Sequence, residues 1–250
     1  MGFSLKGKTA LVTGASRGIG EATALEFARA GADVAITARH LDELTAVADK
    51  IKRFGRKALP VTAHLGKMNE IESLVKQVKE EFGRIDILVN NAAANPTMDA
   101  AIDVTERAWD TIMNLNLKGL FFLSQTVAKV MRENKYGRII NVASAGGIRP
   151  HILPVYSISK AGVIMASKIM ALEWAQYGIN VNAIAPGLTK TRFSQALWGD
   201  EKNLKYLMQR VPLKRFAEPE EIVGAMLFLA SDTGNFVTGT VISVDGGETI

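Results

Sequence analysis

The sequence predicts an α/β fold with a doubly wound, mainly parallel sheet flanked by helices, and three observations predict it. Short apolar runs alternate with longer amphipathic stretches along the chain, which is the rhythm of βαβ units. A glycine-rich turn, Thr13-Gly14-Ala15-Ser16-Arg17-Gly18-Ile19-Gly20, separates the first apolar run from the first amphipathic stretch. The chain has 250 residues, 48% of them hydrophobic and 22% charged, a size and balance that one α/β domain can fill.

Each element follows from local pattern. Thr9-Ala10-Leu11-Val12 is an apolar strand entering the glycine turn, and residues 21–30 read as a helix closed by Gly31. Asp33 to Thr37 is the next buried strand, followed by a helix over 41–54 that ends at Gly55 and a third strand over 57–62. A helix over 70–82 and the strand 85–89 complete the first half, and the repeat implies parallel strands joined by right-handed crossovers. The second half reads as a long helix over 106–133, a strand over 138–142, a helix over 156–177 and a strand over 180–184. A helix over 220–231 and the strand 241–244 close the series, giving seven strands in one sheet. No linker rich in Pro, Gly or Ser interrupts it, so residues 1–250 are expected to form a single domain. The stretch from about 188 to 215 breaks the βαβ rhythm and mixes Phe193, Trp198, Tyr206 and Met208 with charges, as expected of a mobile helical lid over a substrate.

Composition excludes several kinds of chemistry. There is no cysteine, which removes disulfides, thiolate metal sites and a cysteine nucleophile. The histidines His40, His64 and His151 lack ligand spacing, so no metal site is expected. The net charge of +5 is spread among acidic neighbours, as in Lys76-Gln77-Val78-Lys79-Glu80-Glu81, which reads as a solvated helix face and not a nucleic-acid surface. No run of about 18 apolar residues suggests a membrane span. Met1 to Lys8 leads directly into a strand, without a signal peptide, so the chain reads as cytoplasmic.

Gly14, Gly18 and Gly20 fall between a strand and a helix, the setting of a dinucleotide pyrophosphate in a Rossmann fold. Missing side chains let the backbone approach the phosphates, and the helix N-terminus directs N–H groups and a positive dipole at them. After the second strand the sequence is Thr37-Ala38-Arg39-His40, with no carboxylate to bind a ribose 2′-hydroxyl. Arg39, with Arg17 from the turn, suits a 2′-phosphate, so NADP(H) is expected and NAD(H) is the weaker alternative.

Tyr156 and Lys160 are four residues apart, hence on one face of a helix, and Ser144 lies twelve residues upstream. A free phenol ionises near pH 10, and a nearby cation favours the phenolate. The spacing therefore predicts a tyrosine acidified by Lys160. By itself such a pair is common; its weight comes from the nucleotide turn that the sheet would bring to the same end.

These segments carry a resemblance to the short-chain dehydrogenase/reductase family, over nearly the whole chain. Besides Thr13 to Gly20 and Tyr156 with Lys160, they are Asn90-Asn91-Ala92, Asn116 within Asn114 to Gly119, Ser144, Pro186-Gly187 followed by Thr191, and Val244-Asp245-Gly246-Gly247. The chain looks most like 3-oxoacyl-carrier-protein reductases and broad carbonyl reductases. The resemblance implies a catalytic tetrad of Asn116, Ser144, Tyr156 and Lys160. Tyr156 would pass its proton to a carbonyl oxygen steadied by Ser144, Lys160 would bind the nicotinamide ribose, and Asn116 would hold a water leading to solvent. The implied cofactor site comprises Gly14, Ser16, Arg17, Gly18, Ile19, Gly20, Arg39, His40, His64, Leu65, Asn91, Ala92, Tyr156, Lys160, Pro186, Gly187, Thr189 and Thr191.

Two positions depart from the family pattern. His64-Leu65 stands where an acidic residue or asparagine usually meets the adenine, and Ala93 replaces a glycine, which is tolerable only if its φ is negative. The substrate pocket is expected to be walled by Asn95, His151, Phe193 and Trp198, with largely apolar neighbours that favour an uncharged ketone, aldehyde or alcohol. An acyl-carrier substrate and a non-catalytic NADP-binding sensor are the alternatives. Apolar residues around the helices at 106–133 and 156–177 imply association, and the resemblance implies a homotetramer.

Overall fold

The computed structural model describes residues 2–195 and 201–250. Its centre is a sheet of seven parallel strands in the order β3-β2-β1-β4-β5-β6-β7. The strands are β1 (Thr9–Thr13), β2 (Asp33–Ala38), β3 (Ala58–Thr62), β4 (Ile87–Asn90), β5 (Gly137–Val142), β6 (Ile179–Pro186) and β7 (Val241–Val244). The chain winds outward from β1 through β2 to β3, then returns to pair β4 against the other edge of β1. At that reversal the connections leave in opposite directions and open a crevice beyond the C-terminal ends of β1 and β4.

Alternation along the strands divides the core in two. Ala10 and Val12 of β1 join Ile36, Phe27 of α1 (Gly18–Arg29), Leu44 of α2 (Leu41–Lys52) and Met226 of a late helix on one face. Leu11 faces the opposite way, toward Leu74 of α3 (Met68–Phe82), Val127 and Met170. Each such leucine or isoleucine taken fully out of water contributes roughly 1.5–3 kcal/mol, so a register slip that exchanged the faces would be severely destabilising.

The helix expected over 106–133 is interrupted. α4 (Glu106–Met113) passes through a π-helical segment (Asn114–Gly119) into α5 (Leu120–Glu133). Two tertiary contacts account for the widened turn. Asn116 is fully buried and binds the backbone of Ala94 through both its oxygen (2.8 Å) and its amide nitrogen (3.0 Å). Gly119 sits so close to the Leu65 carbonyl that a β-carbon there would lie 2.1 Å from the oxygen. Neither contact is visible in helical periodicity.

α6 (Pro154–Trp174) starts two residues earlier than expected, with Pro154 in the first turn where its missing N–H costs nothing. It ends in a 3-10 turn (Ala175–Tyr177) closed by Gly178 at φ +73°. By length, and by a mean hydropathy of 1.3 in its most apolar 18-residue window, the helical stretch Pro154–Tyr177 is apolar enough to cross a bilayer, a feature the absence of a long apolar run did not foretell. Here it packs on the sheet. Asn90 Nδ2 donates to Ser124 Oγ and Asn141 Oδ1, both at 2.8 Å, and Asn141 Nδ2 donates to Ser167 Oγ at 2.9 Å. This buried chain of amides and hydroxyls ties α5, β4, β5 and α6 together.

The stretch expected as a lid contains α7 (Glu201–Arg210). Leu207 and Val211 are buried against Leu188, so the segment has a small core of its own instead of none. α8 (Pro219–Ala230), opened by a reciprocal capping box between Glu218 and Glu221, returns the chain to the sheet before β7.

Candidate active site

The C-terminal ends of β1, β4, β5 and β6 open into one cavity of about 520 Å³. At its nucleotide end the glycine turn is forced to be bare backbone. Gly14 and Gly18 have φ of +61° and +58°, where a side chain is strained. A β-carbon at Gly14 would lie 2.9 Å from the Ala92 α-carbon, one at Gly18 3.1 Å from Thr191 Cγ2, and one at Gly20 2.3 Å from the Gly14 oxygen. Thr13 fixes the turn against β4: its Oγ1 accepts from the backbone N–H groups of Asn91 (2.9 Å) and Ala92 (3.0 Å). Asn91 returns the clasp by donating from Nδ2 to the carbonyls of Thr13 (2.9 Å) and Gly14 (3.1 Å). α1 begins at Gly18, and its N-cap residue Arg17 makes no side-chain capping bond. A bare-backbone cradle at an uncapped helix start fits a pyrophosphate.

Ser16, Arg17, Ile19, Arg39, His40, His64, Leu65, Asn91 and Ala92 all line this cavity, as do Pro186, Gly187, Thr189 and Thr191 on the opposite wall. Gly20 stands behind the turn instead, and its missing side chain makes room for the Gly14 carbonyl and the Asn91 amide. His64 is held locally: its Nδ1 accepts from Gly66 N–H at 3.2 Å, and its backbone N–H donates to Glu70 Oε2 at 2.7 Å. Ala93 also lines the cavity, and the positive-φ non-glycine residues are Lys135 and Lys214, so its methyl group is carried without strain.

Sequence reasoning missed one carboxylate here. Glu43, in the first turn of α2, reaches the wall and sits 3.5 Å from Arg17 Nη1. It follows Arg39 by four residues, and a search for an acid directly after β2 passes over it.

The chemical end is built by β5 and α6. Lys160 is 2% exposed, and its Nζ donates to the Val142 carbonyl at 2.6 Å. It lies 5.5 Å from the centre of the Tyr156 ring, whose other neighbour is Phe193 at 5.7 Å. Burial pulls the Lys160 ammonium down to about 8. Burial also pushes the Tyr156 phenol up to about 12, against a hydrogen bond with Ser144 that lowers it. The expectation of a phenol acidified by Lys160 is thereby corrected. Helical spacing places the two residues together, but withdrawal from water is the largest influence on the phenol, ahead of the Ser144 hydroxyl that opposes it. The result is a phenol that holds its proton across the neutral range.

Asn116 lies away from the cavity wall. Besides Ala94, its amide donates to Ser159 Oγ at 3.2 Å, so it acts on α6 from behind the site. Ser144 caps a 3-10 turn by accepting from Gly146 N–H at 3.1 Å. His151 and Phe193 line the substrate end as expected. Asn95 does not: its Nδ2 donates to the Thr97 carbonyl at 2.8 Å and it is not part of the wall, a correction that follows from the turn it stabilises. Trp198 and Leu197 lie outside the described residues. Arg192 and Glu248 join the wall and add charge to a lining that is otherwise largely apolar. Among the described residues no group of His, Asp and Glu could hold a metal ion.

A Rossmann sheet with a bare-backbone nucleotide cradle beside a half-buried tyrosine and a buried lysine defines a nucleotide-dependent oxidoreductase. The family model described as Enoyl-(Acyl carrier protein) reductase matches residues 14–249, and the chain belongs to the short-chain dehydrogenase/reductase family. It is 43% identical over 250 residues to 2-dehydro-3-deoxy-D-gluconate 5-dehydrogenase of Escherichia coli, covering 98% of this chain and 96% of that one. It is 41% identical to 3-oxoacyl-acyl-carrier-protein reductase of Thermotoga maritima, covering 98% and 99%. A gluconate 5-dehydrogenase from Burkholderia cenocepacia, solved in complex with NADP and tartrate, superimposes with a TM-score of 0.94 at 33% identity, covering 99% of this chain and 97% of that one.

The buried ammonium predicts a pH signature. Below about pH 8 the folded protein carries a desolvated charge on Lys160. Between about 8 and the ordinary 10.5 the folded lysine has lost its proton while the unfolded chain keeps one, so stability rises with pH. Chemical denaturation of ligand-free protein at about pH 7.5 and 9.5 should show the stability of wild type rising relative to Lys160→Met; a constant difference contradicts the assignment.

Proposed function

We propose that the protein is an NADP(H)-dependent oxidoreductase that interconverts a carbonyl and a secondary alcohol, with Tyr156 as general acid and base. The carrying observation is that Ser144, Tyr156 and Lys160 line the same cavity as the glycine cradle. When bound, NADP(H) supplies the hydride for reduction or takes it up in oxidation. The Tyr156 hydroxyl gives its proton to the developing alkoxide oxygen, and the Ser144 hydroxyl steadies that oxygen. Lys160 presents its ammonium to the phenol as negative charge develops there. The turn Gly14 to Ile19, clasped in place by Thr13 and Asn91, holds the pyrophosphate, while Arg39 and Arg17 meet the 2′-phosphate. We place the enzyme in the cytoplasm.

The rival reading is reduction of a 3-oxoacyl thioester on an acyl carrier, supported by the 41% identity to such a reductase. Comparing an acetoacetyl thioester with simple ketones separates the two. A sensor without chemistry is the remaining alternative, and Tyr156→Phe addresses it. That variant should lose turnover by about a hundredfold or more, the scale of general acid–base catalysis, with NADPH affinity nearly intact. Retained activity refutes the role of Tyr156; tight NADPH binding by wild type without turnover of any ketone or alcohol supports the sensor.

Cofactor choice rests on Arg39. Arg39→Asp should weaken NADPH binding about ten- to a hundredfold, the scale of hydrogen bonds to a charged group, while NADH binding changes less. Fluorescence titration of both nucleotides measures it, and equal affinity of wild type for the two overturns the NADP(H) assignment.

The outer face of α6 leaves Ile158, Met165, Ile169 and Leu172 in water, the last 84% exposed, with Phe122 of α5 also exposed. A face this apolar fits a subunit contact, and a homotetramer is proposed. Sedimentation at micromolar concentration should give about four times the 27.0 kDa chain mass; a monomer refutes it.

A further inference from the structure

The cavity contains a second polar pair that the proposed hydride chemistry does not use. Glu248 lies in the turn after β7 and is only 4% exposed, yet it lines the cavity together with Tyr156 and Ser144. Its position is fixed through its backbone: the Glu248 N–H donates to the Asp245 carbonyl at 3.2 Å, and its own carbonyl accepts from Arg149 Nη1 at 3.1 Å. Its carboxylate stands 3.8 Å from His151 Nε2.

His151 is held close to the reacting end. A β-carbon at Gly146 would lie 3.5 Å from Ser144 Oγ and 3.4 Å from the His151 β-carbon, so those two atoms are within about 7 Å of each other across a bare glycine. Burial, reinforced by the charge of Arg210, holds the imidazole below its usual range, so it is neutral at neutral pH. Burial pushes the Glu248 carboxyl up, as does Asp245, while Arg210 and Arg149 oppose the rise.

At 3.8 Å the imidazole and carboxylate are too far apart for a direct hydrogen bond. A buried carboxylate accepts hydrogen bonds only, and a neutral imidazole offers one donor and one acceptor nitrogen. The group that satisfies both at once is a hydroxyl, donating to Glu248 and accepting from His151. A plain alkyl chain offers neither the carboxylate nor the imidazole a hydrogen-bond partner, so it gains nothing there. A second carboxylate there meets like charge.

We propose that Glu248 and His151 form a hydroxyl-binding subsite that selects substrates carrying a hydroxyl group remote from the reacting carbonyl, that is, hydroxylated ketones and polyols over plain ketones. The proposal rests on the oxidoreductase reading of the same cavity, and its test separates the two.

The probes are methyl ketones from hydroxyacetone to 6-hydroxyhexan-2-one, each against the plain ketone of the same length. Reduction by NADPH is measured with wild type, Glu248→Gln and His151→Phe. In parallel, calorimetry follows binding of the same ketones to each protein saturated with NADPH in the Tyr156→Phe background. Wild type should favour the hydroxylated member of at least one pair by about tenfold or more in kcat/KM, mainly through KM, with the same preference in binding. Each variant should reduce that preference to about threefold or less; should one fail to fold, judged by its melting curve and NADPH affinity, the other decides. Turnover of both members without preference, or a preference undiminished in the folded variants, overturns the subsite and leaves the reductase reading standing. A binding preference without turnover of any ketone overturns the reductase reading and supports the subsite.

Discussion

An amine without water must find another acceptor, and for Lys160 that acceptor is the Val142 carbonyl at the end of β5, 2.6 Å away. The bond fixes how α6 lies on the sheet, since Nζ has no freedom to follow the helix if it moves. The same helix presents Tyr156 one turn earlier, so the position of the phenol is inherited from the lysine. Two further ties guard this placement from the interior. Ser167 receives the Asn141 amide, and Ser159 receives that of Asn116. Because these groups are buried, breaking any one leaves an unpaired polar atom in the core and is strongly resisted. Polar contacts set inside the apolar layers, more than the layers themselves, hold the reacting groups in register with the nucleotide cradle.

Burial also decides the resting protonation. A phenol near 12 beside an ammonium near 8 means that the tyrosine proton is present throughout the neutral range. That state is ready to donate, which suits carbonyl reduction. Alcohol oxidation needs the reverse, a phenolate, and the work of forming it falls on the surrounding positive charge, with Ser144 contributing the hydrogen bond that already favours ionisation.

Strands and the glycine turn were legible in the sequence because their causes are local: apolar runs of sheet length, and φ values that only glycine takes easily. Strand boundaries moved by no more than two residues, and β7 by none. The π-helical segment was illegible, since Leu65 and Ala94, which shape it, are distant in sequence. Glu43 and Glu248 were missed for a related reason: the fold brings them to the wall from a helix with no motif and from the residue just past the Val244 to Gly247 segment. Asn95 shows the opposite error, a residue in a suggestive position whose side chain is spent on its own turn. The phenol was misjudged because an i, i+4 spacing reports proximity but not the loss of water, which is the larger effect here.

Glycine placement links the chemical end to the recognition end. A β-carbon at Gly147 would lie 2.7 Å from the Lys160 carbonyl carbon, while one at Gly146 would lie 3.2 Å from Ser157 Oγ and only in ordinary contact with Ser144 and His151. The first glycine lets the loop after β5 lie directly on α6, beside the lysine. The second lies against Ser157 of α6, between Ser144 and His151. A larger residue at Gly147 would have to push the loop away from α6, and the loop so moved is the one that Ser144 begins and His151 ends. Ser144, proposed to steady the reacting oxygen, and His151, proposed to sense a distant hydroxyl, thus stand at the two ends of one short segment, which ties the proposed recognition to the proposed geometry of proton transfer.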